Sequence, residues 1–481
     1  MAHPAHADAA SIAPPMDWSQ TTVAWLTAPS KPLLALYGIL AAGFMVCFLQ
    51  GDVLYNAFVA NALALGHVNV YSYFQSHPAI RYIDTVMPPL FYVVTGAYLK
   101  LLMLIHLDPV SSNPADLYLR LVGHHKGIQF SLGLLALKIP NLAAVIAGVF
   151  LSRRLALLTD ADEGVVSLLW VASPALIVTA LMQAQNDAIP AAITLAALVA
   201  LKTKSPVWTM LLLGLAACFK SYALVLVPVT ALLLSNRNVL TTIRYGLLGI
   251  IPPAVAALPF LGSAFIGRVL GAHDGNTLFG TSYTGRLPTH LWPVIYVGVL
   301  IMAWIMSKQN VDLIDLISLW FITLGMIFVV NWWVPQWVVW LLPMAIVFAA
   351  RDRIFAWMWL ATNALVLAHD LINFPGNMDG AMLMPFYGDK HHSANSHVYD
   401  YHLYQLWHIV PYAVLDGVYI ALGVAFLALT VRAVQWAVAR RHVLEEERTL
   451  DLVPNVAMAA LIGPLLLAPY IGVMIAQRLV G

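Results

Sequence analysis

The apolar part of the chain starts with LLALYGILAAGFMVCFLQGD, residues 33–52, a run that ends in a carboxylate. A membrane helix needs about 20 mostly apolar residues, so residues 33–50 approach the length of one span. Asp52 follows Gly51 at the point where this span would meet water. Because an ionisable residue is costly at a membrane boundary, its presence there indicates function. The stretch therefore predicts a membrane helix with a candidate functional carboxylate at its outer end.

The composition extends this prediction to the whole chain. Of 481 residues, 61% are hydrophobic and 10% are charged, and the mean hydropathy is +0.81. Soluble proteins carry about 25% charged residues, so we expect a polytopic membrane protein. A net charge of +1 gives no basic patch for nucleic acid. Cys47 and Cys218 both lie in apolar runs, which indicates buried thiols rather than a disulfide or a metal site.

Recurring apolar runs predict an all-α bundle of about 12–14 transmembrane helices. We expect residues 1–32 to form a polar tail and an interfacial segment, without the features of a signal peptide. Residues 33–350 would hold the candidate site, with external loops at 51–86 and 263–288. Residues 351–481 would add C-terminal membrane helices and an external loop at 375–405.

Basic residues mark every second loop after the first third of the chain. They are Arg153/Arg154, Lys202/Lys204, Arg237, Lys308, Arg351/Arg353 and Arg440/Arg441. The positive-inside rule predicts that these loops are cytoplasmic and that the alternate loops face outward. If Asp52 is outside, residues 51–152 must cross the membrane an odd number of times, which the two apolar runs in this stretch do not satisfy. Either one of the runs 87–107 and 126–151 is re-entrant, or the second breaks at Lys138-Ile139-Pro140.

The first external loop, residues 52–85, reads as two amphipathic pieces joined at Gly66. It is too polar to span the membrane but is rich in Tyr and Phe, as interfacial helices are. Asp52, Tyr55 and Asn56 share one helical face by their spacing. Transfer of a group to a hydroxyl needs a general base within hydrogen-bond reach, and Asp52 suits that task. The alternative is that Asp52 caps the next helix.

Two polar interruptions of apolar sequence are predicted to lie on the same outer face. Gln183-Ala184-Gln185-Asn186-Asp187 separates two apolar runs, and polar side chains at such a position need partners or water. Asp187 could cap the following helix, with Pro190 in the first turn. Lys220 could hold a phosphate as a point charge, or it could pair with Asp187. These two interpretations of Lys220 are compatible.

The later external segments add cations and aromatic residues. Arg268, His273 and Arg286 lie in the 263–288 loop, where they could bind a lipid phosphate. The 375–405 loop and residues 391–408 are rich in histidine, but no zinc-binding pattern occurs, so we expect no metal. Gln336 begins a helix beside several tryptophans, which fits either an interfacial belt or a sugar site.

Nucleotide substrates are not expected. The DxD sequence Asp160-Ala161-Asp162 lies in a predicted cytoplasmic loop, away from the other candidates, and is interpreted as a solvated acidic turn. The chain also has no P-loop and no glycine-rich nucleotide fingerprint.

The order of the motifs is more specific than any one of them. In chain order they are Gly51-Asp52, Asp84-x-x-x-Pro88-Pro89-Leu90, Ser173-Pro174-Ala175, Gln185-Asn186-Asp187, Lys220 and Pro335-Gln336-Trp337. This order, over roughly residues 33–345, resembles the GT-C superfamily of integral-membrane glycosyltransferases. The most similar layouts are those of dolichyl-phosphate-glucose glucosyltransferases and bacterial polyprenyl-phosphate-mannose transferases. In the family pattern Tyr-Pro-Pro directly follows the second aspartate, whereas Thr-Val-Met separates Asp84 from Pro88 here.

The resemblance implies an inverting transfer of a hexose, glucose or mannose, from a polyprenyl-phosphate donor. The acceptor would be a hydroxyl of a lipid-linked glycan, a glycolipid or a protein. The low charge, the two cysteines and the lack of signal-peptide features suit a bacterial inner membrane, with the active site facing the periplasm. Asp52 would act as a general base without a metal or other cofactor. Donor binding would fall to Arg268, His273, Arg286, Lys220 and Gln336, supported by Tyr55, Asn56, Asp84 and Asp187.

A secondary transporter or flippase of a lipid or small solute is the main alternative. Transporters place charges near the bilayer midplane and commonly contain internal repeats. The two halves of this chain show no repeat, and the polar residues gather at one predicted face, which favours an enzyme. A membrane scaffold is a third possibility, but it gives Asp52 no role.

Overall fold

The structure, a computed structural model, describes residues 42–43, 45, 51–76, 87–106, 128–266, 269, 291–307, 311–330, 334–373 and 412–442. These residues form helices and connections, and none of them forms a strand. The helices are α1 Gly51–Ala64, α2 Val70–Ser76, α3 Pro89–Leu104, α4 Ile128–Leu158, α5 Glu163–Val171, α6 Pro174–Leu176, α7 Ala188–Thr203, α8 Pro206–Ala217, α9 Tyr222–Leu234, α10 Val239–Ala257, α11 Ser263–Phe265, α12 Leu291–Met306, α13 Leu313–Val330, α14 Leu342–Arg351, α15 Arg353–Asn373 and α16 Tyr412–His442. A π-helix, Ile177–Met182, continues α6, and 3-10 helices cover Leu258–Phe260 and Pro335–Trp340. The predicted all-α class is confirmed.

Several described helices are apolar enough to cross a bilayer. Leu135–Leu158, Val239–Phe260 and Leu313–Val330 also have the required length, and α5 with Pro174–Met182 forms a fourth candidate bent by 40°. Further apolar helices have only 10–17 residues, as the short apolar runs predict. The chain is therefore an integral membrane protein.

Two of these spans differ in their surroundings. In α13, 83% of the apolar window is buried inside the protein, whereas in Val239–Phe260 the share is 11%. Leu240, Ile243, Leu247 and Ile251 are exposed along one face of α10 at helical spacing. Because such a stripe is stable only against an apolar medium, α10 faces lipid and α13 is the centre of the bundle.

One of the two alternatives for the 126–151 run is wrong. α4 continues through Pro140 without a break. Proline cannot donate to the carbonyl four residues earlier, which is that of Ala136. Here the Tyr98 hydroxyl donates to that carbonyl oxygen at 2.6 Å. The helix continues because a neighbouring side chain satisfies the acceptor that Pro140 leaves free.

Residues 51–76, part of the predicted first external loop, form two helices joined at Gly66, as predicted. Gly66 has a φ of 103°, and its N–H donates to the Leu63 carbonyl while the His67 N–H donates to that of Ala62. This pair of bonds ends α1 in a Schellman motif, for which glycine suits the left-handed residue. α1 packs on α3 at Gly96, where a Cβ would lie 2.8 Å from the Ala60 carbonyl oxygen. A side chain at residue 96 would push the two helices apart.

Loops with basic residues meet at one end of the bundle, which we call the basic end. It contains Arg153/Arg154, Lys202/Lys204, Arg237 and Arg351/Arg353. Contacts join these loops: Arg351 Nη2 lies 4.0 Å from Asp160 Oδ2, Arg432 Nε 2.6 Å from Asp352 Oδ2, and Arg237 Nε donates to the Trp304 carbonyl at 3.1 Å. The alternation of loops predicted from the positive charges therefore agrees with the fold.

Candidate active site

The opposite end of the bundle, here called the site end, holds Gln183–Asp187, Lys220 and the 3-10 helix Pro335–Trp340. The π-helix before Gln183–Asp187 is a rare form that often marks functional positions. Ala184 then adopts a left-handed φ of 54°, which is unfavourable for a residue with a Cβ. The Gln185 N–H donates back to the Thr179 carbonyl at 2.7 Å and closes the turn. These local features turn Gln185–Asp187 into the bundle.

Asp187 lies at the N-cap position of α7, but its side chain makes no capping bond. The predicted capping role is therefore wrong. Instead, Trp340 Nε1 donates to Asp187 Oδ1 at 2.7 Å, and Lys220 Nζ lies 3.7 Å from the same oxygen. Asp187 has no exposed surface, so the indole and the ammonium replace water around one carboxylate oxygen.

Lys220 lies in the short connection between α8 and α9. Its predicted pairing with Asp187 is confirmed by the 3.7 Å contact. The lysine side chain is 12% exposed, whereas the aspartate side chain is 0% exposed. An ammonium has three donors, so this contact leaves capacity for a second anion. The binding of a phosphate by Lys220 stays a prediction.

Aromatic rings pack against this ion pair. Trp340 stacks on Tyr222 with centroids 4.3 Å apart and on Trp337 with centroids 4.6 Å apart. All three rings are buried, so they support Asp187 and do not form an open platform for a sugar. Gln336 begins the same 3-10 helix and is half-buried, as a residue at the edge of the site would be.

Two further contacts at the site end were not predicted from the sequence. Lys138, which is fully buried in α4, donates to the carbonyls of Leu181 and Met182, each at 2.9 Å. Gln183 Nε2 donates to Asp370 Oδ2 in α15 at 2.9 Å. A lysine and an aspartate inside apolar runs were the available signal, but their partners are distant in sequence.

Helices α1 and α2 pack against the same end. Ala184 and Phe219, which neighbour the site residues, belong to one apolar cluster with residues of α1, α2 and α3. Tyr71 of α2 makes edge contacts with Phe260 and Phe265, and its hydroxyl donates to the Met87 carbonyl at 2.7 Å. Burial raises the pKa of Tyr71, which keeps this donor protonated. The segments 51–76, 183–187 and 258–265 therefore lie together at the site end.

The structure describes only part of the predicted site. Asp52 lies in the first turn of α1, but its side chain and that of Tyr55 are outside the described residues, whereas Asn56 is half-buried. Candidates that lie wholly outside the described residues are Asp84, Arg268, His273, Arg286 and the histidines of 375–405. Their predicted roles stay predictions.

The acidic turn and the cysteine fit structural roles. Asp162 caps α5 by accepting from the Val165 N–H at 2.7 Å, while the Asp160 side chain is exposed at the basic end. Cys218 is buried, and its Sγ–H donates to the Gly214 carbonyl. Within the described residues, no three His, Cys, Asp or Glu side chains gather as metal ligands would.

Comparison with known proteins gives a family match inside this region. Residues 113–236 match the family described as Alpha-(1->6)-mannopyranosyltransferase, N-terminal domain. The match includes Asp187 and Lys220 but not Asp52. It confirms the predicted resemblance to glycosyltransferases over a stretch shorter than half of the chain. No curated protein sequence matches the chain significantly.

Two crystal structures of ArnT from Cupriavidus metallidurans are similar to the chain, each with 15% identity. The apo structure has a TM-score of 0.42 and covers 86% of this chain and 77% of its own. The structure bound to undecaprenyl phosphate has a TM-score of 0.44 and covers 90% of this chain and 75% of its own. At these values neither similarity assigns an activity to this chain.

Proposed function

We propose that this protein is a membrane glycosyltransferase that moves a hexose from a polyprenyl-phosphate donor to a hydroxyl acceptor on the periplasmic face of the membrane. The observation that carries the proposal is the buried Lys220–Asp187 pair. It lies within residues 113–236, which match the mannosyltransferase family, and at the end of the bundle against which the loop after Asp52 packs.

In this proposal Asp52 accepts the proton of the acceptor hydroxyl. The oxygen attacks the anomeric carbon, the bond from that carbon to the phosphate oxygen breaks, and the anomeric configuration inverts. The phosphoester is the activated bond, so no nucleotide is needed. General base catalysis contributes about 10²–10⁴-fold. Positioning and stabilisation of charge on the leaving phosphate supply the rest.

Lys220 is the described residue best suited to the leaving phosphate. It lies at the edge of the site, partly exposed, with its ammonium beside a carboxylate that has no other cation within the described residues. Arg268, His273 and Arg286, which lie outside the described residues, would add positive charge. Gln336 completes the proposed donor-binding residues, and the supporting residues are Tyr55, Asn56, Asp84 and Asp187.

The test is transfer from a radiolabelled polyprenyl-phosphate mannose or glucose by the purified protein in detergent. Asp52→Asn keeps the size of the side chain and removes the base, so we expect a loss of at least about 100-fold with unchanged thermal unfolding. Asp160→Asn is the matched control, because Asp160 is an exposed aspartate at the basic end. It should transfer at the wild-type rate.

Two results would contradict the proposal. The first is turnover by Asp52→Asn at the wild-type rate, which would remove the base from the mechanism. The second is uptake of the sugar lipid or a solute into proteoliposomes without transfer, which would favour the transporter.

A further inference from the structure

Three buried polar atoms of two adjacent residues make no hydrogen bond within the described part of the chain. They are Nδ2 and Oδ1 of Asn186 and Oδ2 of Asp187. Asn186 is 5% exposed and Asp187 is 0% exposed. Nearly all buried polar atoms in native proteins are paired, so three such atoms side by side need an explanation.

Two polar side-chain atoms beside these three are paired within the described residues. Oδ1 of Asp187 accepts from Trp340, and Gln183 bonds to Asp370. The three unpaired atoms offer one donor and two acceptors, and the ammonium of Lys220 lies on the other oxygen of Asp187. A partner for them must donate at least twice and accept once.

Two adjacent hydroxyl groups match this pattern, since each hydroxyl both donates and accepts. A carboxylate oxygen accepts a hydrogen bond from one hydroxyl. An amide accepts a hydrogen bond at its oxygen and donates one from its nitrogen. An anion bonded to the same molecule would find the Lys220 ammonium. A single buried water would meet the same hydrogen-bond count. A phosphorylated sugar is favoured because both residues lie within residues 113–236, which match the mannosyltransferase family, and because the Lys220 ammonium lies beside Asp187.

We propose that Asn186 and Oδ2 of Asp187 bind two adjacent hydroxyls of a hexose whose phosphate lies toward Lys220. This assignment rests on the proposed function and deepens it, because it names the residues that select the sugar. Asn186 then determines specificity and takes no part in proton transfer.

The unpaired amide makes the proposal testable without turnover. Asn186→Ala removes no hydrogen bond from the free protein, so its midpoint of thermal unfolding should equal or exceed that of the wild type. Asn186→Leu, which keeps four side-chain heavy atoms branched at Cγ, is the second variant in case alanine leaves a cavity. A fall in the midpoint for both variants would show that the amide has a structural partner and would overturn the proposal.

Ligand binding is measured by saturation-transfer NMR with mannose 1-phosphate and glucose 1-phosphate, which carry no lipid tail. Inorganic phosphate serves as the competitor. We expect Asn186→Ala to lower the affinity for whichever hexose phosphate the wild type binds more tightly by about 10- to 100-fold. The affinity for inorganic phosphate should not change. Asn363→Ala is the matched control and should bind as the wild type does. Asn363 is equally buried but lies in a separate groove beside Trp357 and Trp359.

The outcomes separate this proposal from the proposed function. Asn186-dependent binding without any transfer from lipid-linked sugars would support the hexose site and count against the transferase. Equal binding by wild type and Asn186→Ala, or no binding of either hexose phosphate by the wild type, would overturn the hexose site whether or not transfer occurs.

Discussion

The two ends of the helix bundle differ in how completely their buried carboxylates are paired. At the basic end, the Arg153 side chain is 58% exposed beside Glu163, and the buried Asp352 has both carboxylate oxygens paired, one with Arg432 and the other with N–H groups at the start of α15. At the site end, Asp187 has no exposed surface and one of its carboxylate oxygens has no partner among the described residues.

This difference indicates which charges the fold needs. Exposed ion pairs and caps stabilise at little cost, since water still solvates the groups. Burying a carboxylate costs several kcal/mol, and the paired ammonium returns only part of it. A buried ion pair is therefore weak support for stability, and the retention of Asp187 and Lys220 is better explained by a ligand.

The largest expected effect on stability is that of Lys220→Met, which leaves Asp187 as a buried charge without its cation. The free energy of unfolding should fall by about 3–5 kcal/mol. Denaturant titration in detergent measures this loss. Adding Asp187→Leu should recover most of this loss, because the uncompensated charge is then gone. If Lys220→Met is as stable as the wild type, the pair is not buried as described.

A smaller loss is expected for Trp340→Phe. Phenylalanine keeps a ring that can stack on Tyr222 and Trp337 but lacks the N–H that donates to Asp187. Hydrogen bonds to charged groups contribute about 1.5–3 kcal/mol, so the free energy of unfolding should fall by that amount. Trp320→Phe offers a matched tryptophan, since its indole donates to the neutral hydroxyl of Thr230. An equal loss in both variants would contradict a special role for the charge.

The smallest effect belongs to the basic end. Arg153→Ala breaks a pair with Glu163 that is 3.3 Å long and largely exposed. The free energy of unfolding should change by no more than about 0.5 kcal/mol, and less in high salt. A loss as large as that of Lys220→Met would erase the contrast between the two ends.

Much of the fold followed from the sequence because it depends on local pattern. Helix α3, Pro89–Leu104, lies inside the predicted apolar run 87–107, and Gly66 ends α1 as predicted. The Lys220–Asp187 contact was one of two predicted roles, since alternation of the loops places both residues at one end.

What the sequence missed depends on contacts between distant residues. Trp340 and Asp187 are 153 positions apart, and Gln183 and Asp370 are 187 apart, so no local pattern joins them. The same kind of contact explains both errors. The Tyr98 hydroxyl satisfies the carbonyl that Pro140 leaves free, and Trp340 draws the Asp187 carboxylate away from its cap position.

The proposed role of Asp52 rests on its position in the sequence and on the resemblance of the motif order to the GT-C superfamily. The structure places the residue in the first turn of α1 and packs that helix, through α3 and the apolar cluster, toward Ala184. The direction of its carboxylate is therefore a matter for mutation and activity.

The most direct test of the account is the transfer rate of the Lys220→Met/Asp187→Leu double variant, measured with labelled polyprenyl-phosphate hexose beside its unfolding curve. If the pair is kept for ligand binding, the variant should be folded and nearly as stable as the wild type, yet slower in transfer by at least about 100-fold. A double variant that folds and transfers at the wild-type rate would show that the pair serves only the fold, and the account would be wrong.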